Sequence, residues 1–154
     1  MLKIIKIFFL SLLLVSCGFK RVDQIKSQIY LQNINITGDS RLAYTIKNNI
    51  ILASTQDAKK KYEVNIDLIS TTKEKIKNSA GKITRFNLIL SANLTLKNIS
   101  NQKITNKSFV KNADYYVGKN HSETISSKRK ASKVNVKLLS EDILKFIIMS
   151  TNIE

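Results

Sequence analysis

The chain has 154 residues, and 26 Lys and Arg against 11 Asp and Glu give it a formal charge of +15. This length is typical of one domain, and a hydrophobic content of 43% is sufficient for a folded core. One Cys, four Gly and no Pro or Trp exclude a disulfide framework, a Cys-based zinc site and a collagenous repeat. The basicity has two interpretations, a binding role and compositional drift, because abundant Lys, Ile and Asn are what an AT-rich coding sequence gives.

The amino terminus has the organisation of a bacterial export signal. Lys3 and Lys6 precede an uncharged apolar run over 7–15, and small residues follow. The run is shorter than the roughly 20 apolar residues that a membrane-spanning helix needs. Leu14-Val15-Ser16-Cys17 resembles the lipobox of bacterial lipoproteins. This resemblance implies cleavage before Cys17 and a diacylglyceryl thioether, with acyl chains such as palmitate, on its sulfur.

Lipidation of Cys17 would define the organisation of the rest of the chain. The alternative is a buried free thiol at the end of an ordinary signal or of a core helix. Each buried methylene is worth about 0.8 kcal/mol, so two or more acyl chains would hold the protein durably on a membrane. Gly18 follows the Cys where Asp would favour inner-membrane retention, which indicates the inner leaflet of the outer membrane in a Gram-negative envelope. We therefore expect a signal peptide at 1–16, a lipidated tether at 17–26, a single domain at 27–150 and a C-terminal tail at 151–154.

The first half of this domain predicts a strand, a helix and a second strand. Residues 27–36 read as a strand that places Tyr30, Ile34 and Ile36 on one side. Turn residues then lead to apolar side chains at helical spacing, which predicts a helix over about 40–54. Apolar and polar residues alternate cleanly over 62–68, and this segment is the second strand. The Lys-rich segment 70–82 predicts the tip of a long hairpin.

The second half predicts two more strands and a closing helix. The strongest strand pattern lies at 86–96, where every second residue is apolar. The fourth strand, from Lys103 to about Tyr116, alternates less well and is expected at a sheet edge blunted by lysines. Helical spacing of apolar residues over about 121–150 predicts a long helix. The predicted fold is α+β in the order β-α-β-β-β-α, with a four-stranded, mainly antiparallel sheet and both helices packed on one face.

Residues for catalysis are scarce. His121, the only histidine, stands at a predicted helix start, where it is far more often a solvated or capping residue than a base. The chain has no HExxH, CxxC, GxSxG or Gly-rich phosphate loop. Glu141 and Asp142 are adjacent, so on a helix they point about 100° apart and form no catalytic pair. We therefore expect a protein that is not an enzyme and that needs no cofactor or metal.

Basic clusters are the better candidates for function. They are Lys59–Lys61, the hairpin cations from Lys73 to Arg85, and Lys128–Lys130 with Lys133. Each is more often than not a solvated surface, but clusters that converge would bind phosphates, carboxylates or an acidic protein wall. Export, scarce Arg and the lack of interleaved aromatic residues argue against nucleic acid. In a Gram-negative periplasm the anionic partners are the lipid A phosphates of lipopolysaccharide, anionic phospholipid and outer-membrane proteins.

Four segments, in this order and spacing, resemble the LptE family, the lipoprotein subunit of the outer-membrane lipopolysaccharide translocon. They cover most of the mature chain: the Ser16-Cys17-Gly18-Phe19 opening, Arg41–Asn48, Gly81–Phe86 leading into Leu88–Leu96, and Leu138–Leu144. The chain departs from the family at Lys20-Arg21-Val22, where an Arg-Gly pair is usual, and in its Lys-rich hairpin.

The resemblance implies a lipid-anchored domain on the periplasmic side of the outer membrane and inside the lumen of the LptD β-barrel. There it would act as plug and assembly partner and bind lipopolysaccharide without covalent chemistry. By location, the candidate contacts to lipid A phosphates are Lys77, Lys82 and Arg85 at the hairpin, with Lys119 and Lys128 at the start of the last helix. A lipid-anchored periplasmic binding domain for another anionic ligand, without a barrel partner, is the alternative.

The lipobox interpretation predicts the behaviour of Cys17→Ala. The variant is expected to fold like the parent, because the substitution lies outside the predicted domain, but to carry no lipid. Metabolic labelling with a radioactive fatty acid measures this directly. Label on the variant equal to that on the parent would refute the assignment of Cys17.

Overall fold

A computed structural model describes residues 29–52 and 54–152. The signal peptide, Cys17 with its tether, and the last two residues lie outside the described residues. The elements are β1 (Ile29–Thr37), α1 (Ser40–Ile51), β2 (Lys60–Lys77), β3 (Ile83–Asn98), β4 (Ile104–Tyr116) and α2 (His121–Asn152). The predicted α+β class and element order are confirmed.

The four strands form one open sheet in the order β1-β2-β3-β4. β1 pairs parallel to β2, whereas β2–β3 and β3–β4 pair antiparallel. A parallel pair cannot be joined by a tight turn, so the chain crosses over through α1 between β1 and β2. The sheet is therefore mixed, with one parallel pair, and β4 lies at an edge as predicted.

Both helices cover the same face of this sheet. The inward residues of β2 and β3 alternate with polar ones, and Val64, Ile66, Leu90 and Leu94 are all at most 1% exposed. They form one core with apolar side chains from both helices, which include Ile46, Ile50, Leu139, Ile143 and Ile147. We call this side of the sheet the inner face and the other side the outer face. The outer face has no helix over it among the described residues.

A bulge in β1 changes which residues point inward. The β1–β2 register shifts between Leu31 and Asn33, so Leu31 and Ile34 pair with the buried Tyr62 and Val64. Tyr30 instead pairs with an exposed residue of β2 and lies on the outer side. The prediction that Tyr30 shares a side with Ile34 and Ile36 is therefore wrong. One extra residue in a bulge shifts a strand's alternation, which a strict period of two cannot anticipate.

The β2–β3 hairpin is longer as a strand pair than the sequence predicted. Pairing continues to Lys77 and Ile83, so only residues 78–82 form the tip. The Asn78 Oδ1 accepts hydrogen bonds from the backbone N–H groups of Ala80 (3.1 Å) and Lys82 (2.9 Å), which closes the turn. Residues 69–77 are exposed on both faces. They therefore lack the burial alternation by which a strand is predicted, although their backbone still pairs.

The last helix begins at a capping arrangement and continues without interruption for 32 residues. The Asn120 Oδ1 accepts the backbone N–H of Glu123 (2.8 Å), and the Glu123 carboxylate accepts the backbone N–H of Lys119 (2.8 Å). α2 ends at Asn152, whereas α1 ends at Ile51, three residues before its predicted end. Within the described residues no helix has the length and apolar character to cross a membrane.

The turn between β1 and α1 depends on Gly38. Its φ is +107°, and a Cβ at this position would overlap the carbonyl oxygen of Leu68 in β2. Gly81 at the hairpin tip also has a positive φ, +75°, but open space around it. We expect Gly81→Ala to lower the free energy of unfolding by about 1 kcal/mol and Gly38→Ala by roughly 3 kcal/mol. Urea denaturation of both variants checks this; equal losses would contradict the close approach at Gly38.

Candidate anion-binding site

Four of the five predicted cations lie at the hairpin end of the sheet. Lys77 is in the last pair of β2 with β3, Lys82 is in the tip, and Arg85 is near the start of β3. Lys119 joins them because the Val117 N–H donates to the Thr84 carbonyl oxygen (3.1 Å), which fixes the β4–α2 connection beside β3. Two segments more than thirty residues apart in sequence thus bring cations to one end of the molecule.

These hairpin cations are not equivalent. The Lys77 Nζ lies 3.0 Å from a Glu74 carboxylate oxygen, so part of its charge is neutralised. Lys82 and Lys119 are exposed and form no ion pair with any other described residue. They are the cations of this end that are best placed to meet an anion from solution.

Arg85 is held in a cluster on the outer face. Its Nη2 donates to the Tyr116 hydroxyl (2.8 Å), and its guanidinium carbon lies 4.5 Å from the centre of the Tyr116 ring. Its Nη1 is 3.8 Å from a carboxylate oxygen of Asp114. The Arg85 side chain is 30% exposed, so it retains a solvent-facing edge. Arg85 therefore positions its neighbours and is a weaker ligand for a free anion than Lys82 or Lys119.

Asp114 is the centre of that cluster. The Lys75 Nζ lies 2.6 Å from its Oδ2, and the Asn87 amide donates to its Oδ1 (2.8 Å). These two hydrogen bonds, with the charges of Lys75 and Arg85, hold the pKa of the Asp114 carboxyl below its usual value. Lys75 lies in the bulge between Glu74 and Ile76, where the β2–β3 register shifts, and from there its side chain reaches Asp114.

Lys128 lies away from the hairpin end, in a groove between α1 and α2. It stands seven residues into α2, which is about 10 Å along the helix axis. The groove has a volume of about 820 Å³. Thr45 and Asn49 line it from α1, Asp39 lines it from the cap before that helix, and Ser70 lines it from β2. The predicted set of cations is therefore divided between two places.

The groove exists because the two helices differ in length. α1, with 12 residues, is about 18 Å long, and α2, with 32 residues, is about 48 Å long. β1 pairs only as far as Asp67, whereas β2 continues ten residues further beside β3. Beyond the start of α1, none of the described helices lies over the inner face of β2, while α2 still covers β3. This difference leaves an open channel along the side of α2.

Cations dominate the rim of this groove and apolar side chains its floor. Lys128 and Arg129 project from one turn of α2, Lys133 and Lys137 project from the next two turns, and Arg41 lines the groove from α1. Leu42, Leu88 and Val136 form the apolar part of the lining. Asp39 is the only carboxylate in the lining, and its Oδ1 already accepts the N–H groups of Arg41 (3.0 Å) and Leu42 (3.1 Å) as the α1 cap.

Sequence reasoning missed Arg41 and Lys137 as members of the cationic rim. The spacing of 129, 133 and 137 at intervals of four would place all three on one helix face, and it was available as a signal. No sequence signal associates Arg41 with them, because α1 reaches α2 only through tertiary packing. Asn49 fixes this packing by donating from Nδ2 to the Ser140 Oγ (2.8 Å).

Other candidate groups have ordinary surface roles. Glu141 lies 3.9 Å from Lys137 and Asp142 lies 2.7 Å from Lys111, so these adjacent carboxylates make separate ion pairs. His121 is exposed in the first turn of α2. Among the residues that the structure describes, no three His, Cys, Asp or Glu side chains are grouped to hold a metal.

Three solved structures share this fold. A protein named provisionally as a lipoprotein, from Caulobacter crescentus, is 13% identical over 82% of this chain and 91% of its own, with a TM-score of 0.58. Rare lipoprotein B from Shewanella oneidensis is 9% identical over 79% and 96%, with a TM-score of 0.54. A lipoprotein B of unknown role from Nitrosomonas europaea is 11% identical over 85% and 88%, with a TM-score of 0.53.

The class that these comparisons define is an α+β domain with the fold of these three lipoproteins. No protein-family model matches the chain, and no curated protein sequence matches it. At identities of 9–13% the likeness is one of fold.

The lowered pKa of Asp114 predicts a pH dependence. A carboxyl whose folded-state pKa is depressed stabilises the fold above its unfolded-state pKa, near 4, and this stabilisation is lost as the pH falls through the folded-state value. Asp114→Asn should therefore lower the unfolding midpoint at pH 7 and have a progressively smaller effect as the pH is lowered from about 4 to about 2. Denaturation of parent and variant across this range measures it. A loss in midpoint that is the same at both ends of this range would show that the Asp114 charge contributes nothing.

Proposed function

We propose that this protein is an outer-membrane lipoprotein of the lipopolysaccharide transport machinery, of the LptE type, anchored by a lipid on Cys17. One observation carries the proposal. Lys82 and Lys119, from two distant segments, lie at the hairpin end without an ion pair to any described residue, in a domain that shares its fold with bacterial lipoproteins. The resemblance of the sequence to the LptE family supports the same function.

Binding at the hairpin end would be electrostatic. Ammonium groups of exposed lysines act as point charges toward phosphate, with side chains flexible enough to follow a ligand. Lys77 can exchange its partner Glu74 for a phosphate, because surface ion pairs are worth little. Arg85 would keep the end of the sheet in place through Tyr116 and Asp114. We infer that the phosphates of lipid A are the groups bound, and that no bond is made or broken.

The outer face of the sheet supports a partnership with a β-barrel. Its side chains are largely amides and hydroxyls, among them Asn65, Asn93, Thr95, Asn106 and Ser108, and the last four form cross-strand hydrogen bonds of 2.8–2.9 Å. The interior of an outer-membrane barrel is polar, so a polar sheet face suits a lodged plug. We propose the LptD barrel as this partner.

The alternative is a periplasmic binding domain that holds another anionic ligand without a barrel. The translocon role and the solitary binding domain predict different partners for the protein when it is extracted from the membrane with detergent. Extraction in mild detergent together with a large β-barrel protein supports the translocon role, whereas extraction as a monomer supports the solitary binding domain.

Charge reversal at the hairpin end tests ligand binding. We expect the double substitution Lys82→Glu and Lys119→Glu to weaken the binding of lipopolysaccharide to the full-length protein at least tenfold, because two attractive contacts become repulsive. Lys59→Glu with Lys61→Glu is the matched control, since both residues are exposed and lie at the opposite end of β2. It changes the net charge equally and should bind within about twofold of the parent. Equal loss in both variants would indicate attraction by net charge alone and would refute a hairpin site.

A further inference from the structure

The groove between α1 and α2 is a concave region of the described structure that is separate from the hairpin cations. Its volume, about 820 Å³, lies within the range of small-molecule sites in proteins. Its two walls are helices that are held together at one end by the Asn49–Ser140 hydrogen bond and by the shared core. The groove is therefore a fixed feature of the packed domain.

Charge identifies one half of the ligand. Five cations from two helices face a lining whose one carboxylate is occupied by the α1 cap. Like charges at intervals of four along a helix destabilise it, so Arg129, Lys133 and Lys137 together carry a cost that a bound anion would relieve. Of the five groove cations, only Lys137 forms an ion pair with a described residue, and its Nζ is 3.9 Å from a Glu141 carboxylate oxygen. The complement of this rim is an anionic headgroup with more than one oxygen.

The apolar floor of the groove indicates the second part of the ligand, a hydrocarbon chain. Leu42 is half-buried, whereas Leu88 and Val136 are each only 3% exposed at the bottom of the groove. The apolar surface that is open to water is therefore supplied mainly by Leu42 and by the methylene stems of the surrounding Lys and Arg. A free inorganic anion would leave that surface exposed to water. A ligand with a hydrocarbon chain would cover it and gain roughly 25 cal/mol for each Å² removed from water.

We propose that this groove binds an anionic acyl amphiphile, with a phosphate at the rim formed by Arg129, Lys133 and the facing Arg41 and with its hydrocarbon chain along Leu42, Leu88 and Val136. The cationic rim and the apolar floor together fit a membrane phospholipid with an anionic headgroup, and we take this lipid as the occupant. The inference stands apart from the proposed function, because it requires neither a barrel partner nor the hairpin cations.

Three probes separate the two halves of the ligand. Dodecyl phosphate carries the charge and the chain, inorganic phosphate the charge alone, and dodecyl maltoside the chain with a neutral head. Calorimetric titration below the micelle concentration uses the full-length chain with Cys17→Ala as background, so that no acyl chain of its own competes. Dodecyl phosphate is expected to bind at least tenfold more tightly than either partial probe. Equal affinity for inorganic phosphate, or for dodecyl maltoside, would overturn the proposal.

Variants locate the binding. Arg129→Glu with Lys133→Glu should weaken dodecyl phosphate binding at least tenfold, and the control pair Lys130→Glu with Lys145→Glu, exposed on the same helix but outside the lining, should leave it within about twofold. Ser132→Trp should reduce binding by filling the groove without a change of charge. Retention of binding in both groove variants, with circular dichroism like that of the parent, would overturn the groove as the site.

The hairpin variant distinguishes this proposal from the proposed function. With Lys82→Glu and Lys119→Glu, dodecyl phosphate binding should be unchanged even though lipopolysaccharide binding falls. If the hairpin variant loses dodecyl phosphate binding and the groove variants retain it, the groove proposal is refuted and the hairpin site is supported.

Discussion

The packing of α2 across β3 and β4 is the interaction on which the rest of this structure depends. Leu139, Ile143 and Ile147 are fully buried against the inner face, in one core with Leu90 and Leu94. Complete burial of a Leu or Ile side chain is worth roughly 1.5–3 kcal/mol, so a few such residues match the net stability of a typical domain. With α2 fixed over β3, its cationic face is fixed beside the opening that the shorter α1 leaves, and its first turn is fixed at the hairpin end.

One buried polar residue within that interface has a positional role. Asn135 is fully buried and donates from Nδ2 to the carbonyl oxygen of Leu88 (2.9 Å), between the main core and the smaller cluster of Leu88, Tyr115 and Ala131. The Asn135 Oδ1 is buried and accepts no hydrogen bond from a described residue, so the bond to Leu88 is the one that holds this amide. A shift of the helix that broke it would leave the buried Nδ2 unpaired as well, a cost that apolar packing alone would not impose. Lys128 and Lys133 thereby keep a defined place over the groove, since they lie less than two turns from Asn135.

The sequence predicted those parts of the fold in which burial is one-sided. β3 alternates strictly because its inner residues face the helices and its outer residues face solvent, and the order of elements follows from such local patterns. The extension of β2 over 69–77 was not predicted because its exposed side chains do not alternate between apolar and polar. The predicted side of the sheet for Tyr30 was wrong because a strict alternation of two residues cannot show a bulge.

The cations at the hairpin could be predicted because they are close to one another in the sequence. The pairing of Arg85 with Asp114, and the position of Arg41 opposite Lys133, depend on tertiary contacts across 29 and 92 residues of sequence, for which local patterns carry no signal.

The separation between the two cationic regions bears on whether the high lysine content is functional or compositional. Drift in composition would scatter lysines over all exposed positions, and several, such as Lys59 and Lys61, fit that description. Charges act on a ligand only within about 8–10 Å at physiological salt, so a lysine contributes to binding through its neighbours and not through the total of +15. The groove gathers cations from two helices around one carboxylate, and the hairpin end keeps Lys82 and Lys119 outside the ion pairs that Glu74 and Asp114 form with its other cations. Lys128 lies about 10 Å into α2, near the limit of that range, so each region would act on its own anion.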